Sequence, residues 1–202
     1  MQLRVIVLVA FLSWPCAAQD VISVYSRLAP AAPSGGNGSQ AGIGVDGVVT
    51  PAKYLMFDVD TSVVREAKTY IGNGWTWRGQ AEGLVGTGPL WFGGGILAAR
   101  HSNTQYTKWQ YQPIVSAHYR PRPEVDAYIT YLLRASGNTN GVYGYRVGYR
   151  GVFPTSPKVG IFIQGEFTRF RFTDSWGNPY ASNVWVSGFG ISRINNYGAW
   201  KR

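Results

Sequence analysis

Hydrophobicity along this chain repeats every two residues, in short runs separated by turn-forming segments. From Lys53 to Val64, Leu55, Phe57, Val59, Thr61 and Val63 share one parity, and Met56, Asp58, Asp60 and Ser62 share the other. From Glu124 to Arg134, Val125, Ala127, Ile129, Tyr131 and Leu133 oppose Glu124, Asp126, Tyr128, Thr130 and Arg134. Tyr143, Tyr145, Val147, Tyr149 and Phe153 oppose Arg146 and Arg150, and Val159, Ile161, Ile163 and Phe167 oppose Gln164 and Glu166. Successive side chains of a strand point to opposite faces, so this period specifies β-strands with one apolar and one polar face. No segment beyond the N-terminal stretch carries a helical period. The 26 glycines and the abundance of β-branched and aromatic residues also disfavour helix.

The predicted strands are 21–28, 41–49, 53–64, 75–87, 91–101, 105–119, 124–135, 142–153, 158–172 and 181–193. That is about ten, within a range of 8 to 10, and most approach the length that crosses a bilayer when tilted. The connections nearly alternate between long and short. Thr50-Pro51, Arg120-Pro121-Arg122-Pro123 and Pro154-Thr155-Ser156-Pro157 break strands, whereas Gly137-Asn138-Thr139-Asn140-Gly141 is flexible. An even number of antiparallel strands, short turns at one end and long loops at the other specify a single antiparallel up-and-down closed β-barrel with both termini at the turn end.

The first residues read as an export signal. Arg4 precedes the apolar run Val5–Trp14, and Cys16, Ala17 and Ala18 are small residues before Gln19. The run is too short to span a bilayer as a helix. The expected organisation is a cleaved signal peptide over 1–18 and a barrel domain over 19–202. Cys16 is the single cysteine, so a chain cut after Ala18 has no disulfide, thiol nucleophile or cysteine metal ligand.

The apolar faces carry almost no charge across their middle, as contact with lipid requires. Aromatic residues gather near strand ends: Trp75, Trp77, Trp91, Tyr106, Trp109, Tyr119, Tyr143, Phe153, Phe167 and Trp185. Such girdles sit at the two membrane interfaces. Arg169 and Arg171 share the apolar parity but fall near the outer end of their strand, where anionic lipopolysaccharide can pair with them. With Trp176 they form the expected outer-face contact with lipid or glycan. In signal, alternation, girdle and loop pattern the chain resembles small bacterial outer-membrane barrels of the OmpA-like and opacity type. The resemblance implies residence in the cell outer membrane. It departs from that type at its end, where Lys201 and Arg202 follow Trp200.

The other parity is polar. Asp58, Asp60, Arg78, Glu82, Asp126, Arg134, Arg146, Arg150 and Glu166 are the expected interior network. Small barrels fill their interior with side chains, and buried charges there must be paired. A pore would need rings of one sign, and this set mixes signs. Asp58 and Asp60, two apart on one inward face, have a spacing that serves paired-carboxylate chemistry or binds a cation, and more often pair with arginines such as Arg146. Of the two histidines, His118 falls toward the turn end as a satisfied polar residue. His101, beside Ser102 at the outer end of its strand, lies where a lipid-modifying or hydrolytic site would open, and no acidic partner adjoins it in sequence. Neither HExxH, a P-loop nor a strand-borne GxGxxG occurs, so no cofactor or metal is expected.

The formal charge is +9, but lysine is scarce and arginine is spread along the chain, unlike the clustered basic surface of a nucleic-acid binder. The expected partners are outer-membrane lipid and lipopolysaccharide, with surface glycan or an envelope protein met through the long loops. The expected role is structural or surface-interacting and non-enzymatic. The alternatives are a small channel or transport-linked barrel, or a soluble periplasmic barrel that binds an apolar ligand.

Overall fold

The structure is a computed structural model and describes residues 19–30, 39–67, 74–103, 107–134, 143–173 and 179–195. The expected leader, Tyr106, Trp176 and the Lys201-Arg202 ending lie outside those residues. The described residues form ten strands: β1 (Gln19–Ala29), β2 (Ser39–Ala52), β3 (Leu55–Ala67), β4 (Gly74–Thr87), β5 (Leu90–Asn103), β6 (Thr107–Arg122), β7 (Val125–Leu132), β8 (Tyr143–Pro154), β9 (Val159–Thr173) and β10 (Pro179–Ile194). Each pairs antiparallel with the next, and β1 pairs with β10, so the sheet closes on itself. Closure leaves no unpaired edge to recruit another strand.

Short connections join β2 to β3, β4 to β5, β6 to β7 and β8 to β9 at one end, which also holds the start of β1 and the end of β10. We call this the turn end and the opposite one the loop end. At the β4–β5 turn Gly88 has φ of 59°, a left-handed conformation that a Cβ disfavours.

The strand limits differ from the sequence expectation by up to three residues, and two of the differences bear on the placement of arginines. β6 continues through Arg120 to Arg122, and its register with β7 shifts between Tyr119 and Arg122. Pro121 cannot donate to a ladder, and the irregular stretch accommodates it. β7 stops at Leu132, so Arg134 stands beyond the strand and is exposed. The alternation that assigns Arg134 to the interior outlasts the ladder that would hold it there.

The exterior is apolar. Ile43, Val85, Phe92, Ile129, Phe189 and Ile191 are between 51% and 68% exposed, on strands distributed around the barrel. A continuous apolar face of this kind is unfavourable in water and suited to hydrocarbon. The interior is layered. At the turn end, Val21, Val152, Phe162 and Ile194 pack as one apolar cluster, and Val48, Met56, Leu84 and Trp91 as a second. Trp91 therefore belongs to the lumen, at 8% exposure, and not to the outer girdle. Its parity follows Leu97 and Ala99, both inward, whereas the neighbouring Phe92 faces out. Toward the loop end, Leu97, Ile114 and Leu132 form a third cluster with Phe170 against it. The charged residues lie between these apolar layers.

Candidate functional site

Arg150 organises the half of the lumen nearer the turns. It stands on β8 directly opposite Asp126 on β7 and donates from Nε to Asp126 Oδ2 at 2.9 Å. Its Nη1 crosses the lumen to Asp46 Oδ2 at 2.6 Å and Asp58 Oδ1 at 3.0 Å, and its Nη2 also bonds Asp58. One guanidinium thus ties β8 to β2, β3 and β7. His118 on β6 extends the cluster, with Nδ1 3.0 Å from Asp126 Oδ2 and Nε2 3.5 Å from Glu82 Oε1. Glu82 in turn accepts from Gln80 Nε2 at 2.8 Å. All the carboxylates named here are buried, as is His118.

Glu166 on β9 organises the second cluster. Arg78 Nη1 lies 3.2 Å and Arg27 Nη2 3.5 Å from its Oε1, and Arg146 Nε lies 3.3 Å from its Oε2. Tyr128 donates its phenol to the same Oε2 at 3.1 Å, and Arg146 also bonds the Gln80 side chain. Tyr25 on β1 reaches Asp60 on β3. The ionic groups of this interior come from most strands of the barrel, and the contacts of Arg150 with Asp46 and Asp58 and of Glu166 with Arg27 and Arg78 join strands far apart in sequence. A buried carboxylate or guanidinium without a partner is very costly to desolvate, so this pairing is a condition of folding.

Of the residues expected inside, Asp58, Asp126 and Arg150 meet directly, with Glu82 joined through His118. Arg78, Arg146 and Glu166 meet in the second cluster, and Asp60 is held by Tyr25. Arg146 pairs with Glu166, and Asp58 pairs with Arg150; the expected match of the aspartates with Arg146 does not form. Arg134 lies outside. Arg169 and Arg171 are on the exterior of β9. His101 lies near the loop end of β5, opposite Thr76 and Lys108.

The sequence reading missed Arg27, which is 4% exposed. Its inward parity on β1 mixes Val21, Ser23, Tyr25 and Arg27, so neither face of that run looks distinctly polar. The parity of the exposed Val24 and Leu28 is the signal that places it inside. Arg120 is hidden by its prolines. Its Nη2 donates to the Pro123 carbonyl at 2.8 Å, and it lines a recess of about 470 Å³ at the turn end with Trp91, Tyr119, Thr50 and Gly88.

Asp58, His118 and Asp126 each offer an atom within 4.8 Å of the others, a set that suits a cation. Arg150 already supplies one, since its guanidinium bonds both aspartates. Guanidiniums and carboxylates interleave through the lumen, whereas charge-selective filters rely on rings of one sign.

Closed ladder, apolar exterior and paired interior together define a membrane-spanning β-barrel with a packed, charged lumen. No protein family's sequence profile matches the chain, and no curated protein matches it. Among solved structures it is similar to a major outer membrane protein from Thermus thermophilus, at 13% identity over 89% of this chain and 100% of that one, with a TM-score of 0.38. It is similar to the outer membrane protease OmpT from Escherichia coli, at 9% identity over 91% and 99%, with a TM-score of 0.42. It is also similar to the translocator domain of the autotransporter NalP from Neisseria meningitidis, at 13% identity over 94% and 93%, with a TM-score of 0.47.

Proposed function

We propose that the chain is an outer-membrane β-barrel whose role is structural or surface-interacting, with its lumen acting as a brace and not as a conduit or an active site. The observation that carries this reading is Arg150, which binds Asp46, Asp58 and Asp126 on three other strands beneath the apolar side chains of the turn end. Outer-membrane barrels are closed, carry an apolar outer band and join their strands by short turns at one end, and this chain has each feature. His118 is 2% exposed, with Nδ1 held by Asp126 and Nε2 3.5 Å from Glu82, and that burial argues against contact with a substrate. Partners then meet the barrel at its loops and its lipid-facing surface.

The reading is tested by refolding the protein into phosphatidylcholine vesicles, comparing heated and unheated samples on an SDS gel, and recording current across a planar bilayer. The expected result is a mobility shift on heating with no stepwise conductance. Discrete conductance steps would establish the channel reading instead. A protein that stays soluble without detergent and shows no shift would establish the soluble ligand-binding barrel. His101→Ala is expected to leave mobility and insertion unchanged.

A further inference from the structure

Arginines on a lipid-facing surface are costly, and this barrel places them near the loop ends of its strands. Arg100 on β5 stands directly between Trp77 on β4 and Trp109 on β6. Its Cζ lies 5.5 Å from the Trp109 ring centroid, and the two indoles meet edge to face at 5.2 Å. Tyr111 stacks on Trp109 at 6.0 Å and is exposed. On β9, Arg169 is directly opposite Tyr145, and Arg171, two residues further on, is opposite Tyr143. On β3 the exposed Arg65 is opposite Trp75.

Two facts set Arg100 and Arg169 apart from ordinary girdle residues. Each has its Nε shielded from solvent with no hydrogen-bond partner. Among the residues whose side chains are described, no carboxylate shares the exterior near the loop ends. The Trp109 ring lies against the Arg100 guanidinium, and Tyr145 is the ladder neighbour of Arg169. In hydrocarbon an N–H group needs an acceptor, and among the described residues none bonds the Nε of either arginine. A guanidinium presents a planar fork that matches phosphate in two parallel hydrogen bonds. At the membrane interface, the acceptor that recurs at that depth is the lipid headgroup.

We infer that Arg100 with Trp77 and Trp109, and Arg169 with Tyr145, are two binding sites for a phosphate-bearing lipid headgroup in the leaflet at the loop end. The inference rests on the membrane reading above and adds Arg100, the indole pair and the chemical class of the lipid. Aromatic faces beside the guanidinium suit the sugar ring of a phosphorylated glycolipid.

The test uses the full barrel inserted into phosphatidylcholine vesicles that contain lipid A, its dephosphorylated form or neither. Retained lipid is measured by native mass spectrometry. Wild type is expected to retain the phosphorylated lipid preferentially. Arg100→Gln and Arg169→Gln are each expected to weaken retention about tenfold or more, the scale of a lost charge-assisted hydrogen bond. Lys158→Gln at the turn end is expected to change nothing. Heat-dependent mobility of each variant verifies that it folds. An inserted barrel that retains both lipids equally, or whose variants match wild type, overturns this inference and leaves the membrane reading standing. A chain that does not insert into any of the vesicles overturns both.

Discussion

Tyr25 lies across Gly44, its direct partner on β2, and donates its phenol to Asp60 at 2.5 Å. The same device recurs on the other side of the lumen. Tyr128 lies across Gly148, its direct partner on β8, and donates to Glu166 at 3.1 Å. In both pairs the missing side chain leaves the room through which a phenol reaches a carboxylate on another strand. A Cβ at Gly44 or Gly148 would fall on the tyrosine ring. Gly44→Ala is therefore expected to displace Tyr25 and cost about 1–3 kcal/mol, the usual range for overpacking. The check is the urea midpoint of unfolding from vesicles, and an unchanged midpoint would show that Tyr25 does not need this glycine.

Arg150 carries a heavier burden, because three buried aspartates share its charge. Arg150→Met is expected to cost about 3–5 kcal/mol, since removing one partner leaves the others buried and uncompensated. Replacing Asp46, Asp58 and Asp126 by asparagine in the same chain removes the stranded charge and is expected to recover much of the loss. Equilibrium unfolding of the single and combined variants measures both steps. Equal stability of Arg150→Met and wild type would show that the network does not brace the barrel.

Val147 lies in the middle of β8, faces outward and is 45% exposed. If the exterior meets hydrocarbon, Val147→Arg at this depth is expected to cost about 2–4 kcal/mol and to lower the yield of inserted protein. If the exterior meets water, an exposed substitution of this kind changes stability by about 0.5 kcal/mol or less. The same substitution scored in vesicles and in buffer therefore discriminates the two environments with a single side chain.

The positions of these residues are legible in the sequence to different degrees. Asp58, Asp126, Arg150 and Glu166 follow from parity alone, because a strand's period of two leaves one choice of face once its apolar side is known. Arg27 is obscured, because the inward parity of β1 carries Val21 and Tyr25 as well as Ser23 and Arg27. Trp91 reads as a girdle residue because an aromatic near a strand end looks alike on either face until the register is fixed. Arg134 fails in the opposite way: its parity is right, but the ladder between β6 and β7 ends at Leu132.

By itself the sequence determined that this chain folds as an all-β closed barrel of about ten strands, with an apolar outer face, a polar lumen and alternating turns and loops. Those properties are local, since alternation and turn chemistry act over a few residues along the chain. Only the tertiary structure decided which charges meet. Arg150 lies 104 residues from Asp46 and 92 from Asp58, and all three converge through strand register and closure of the sheet. The register of β4, β5 and β6 also set Trp77 and Trp109 on either side of Arg100. Charge interactions fall off with distance and depend on the surrounding dielectric, so a partner can be assigned only after the barrel has placed both groups in space.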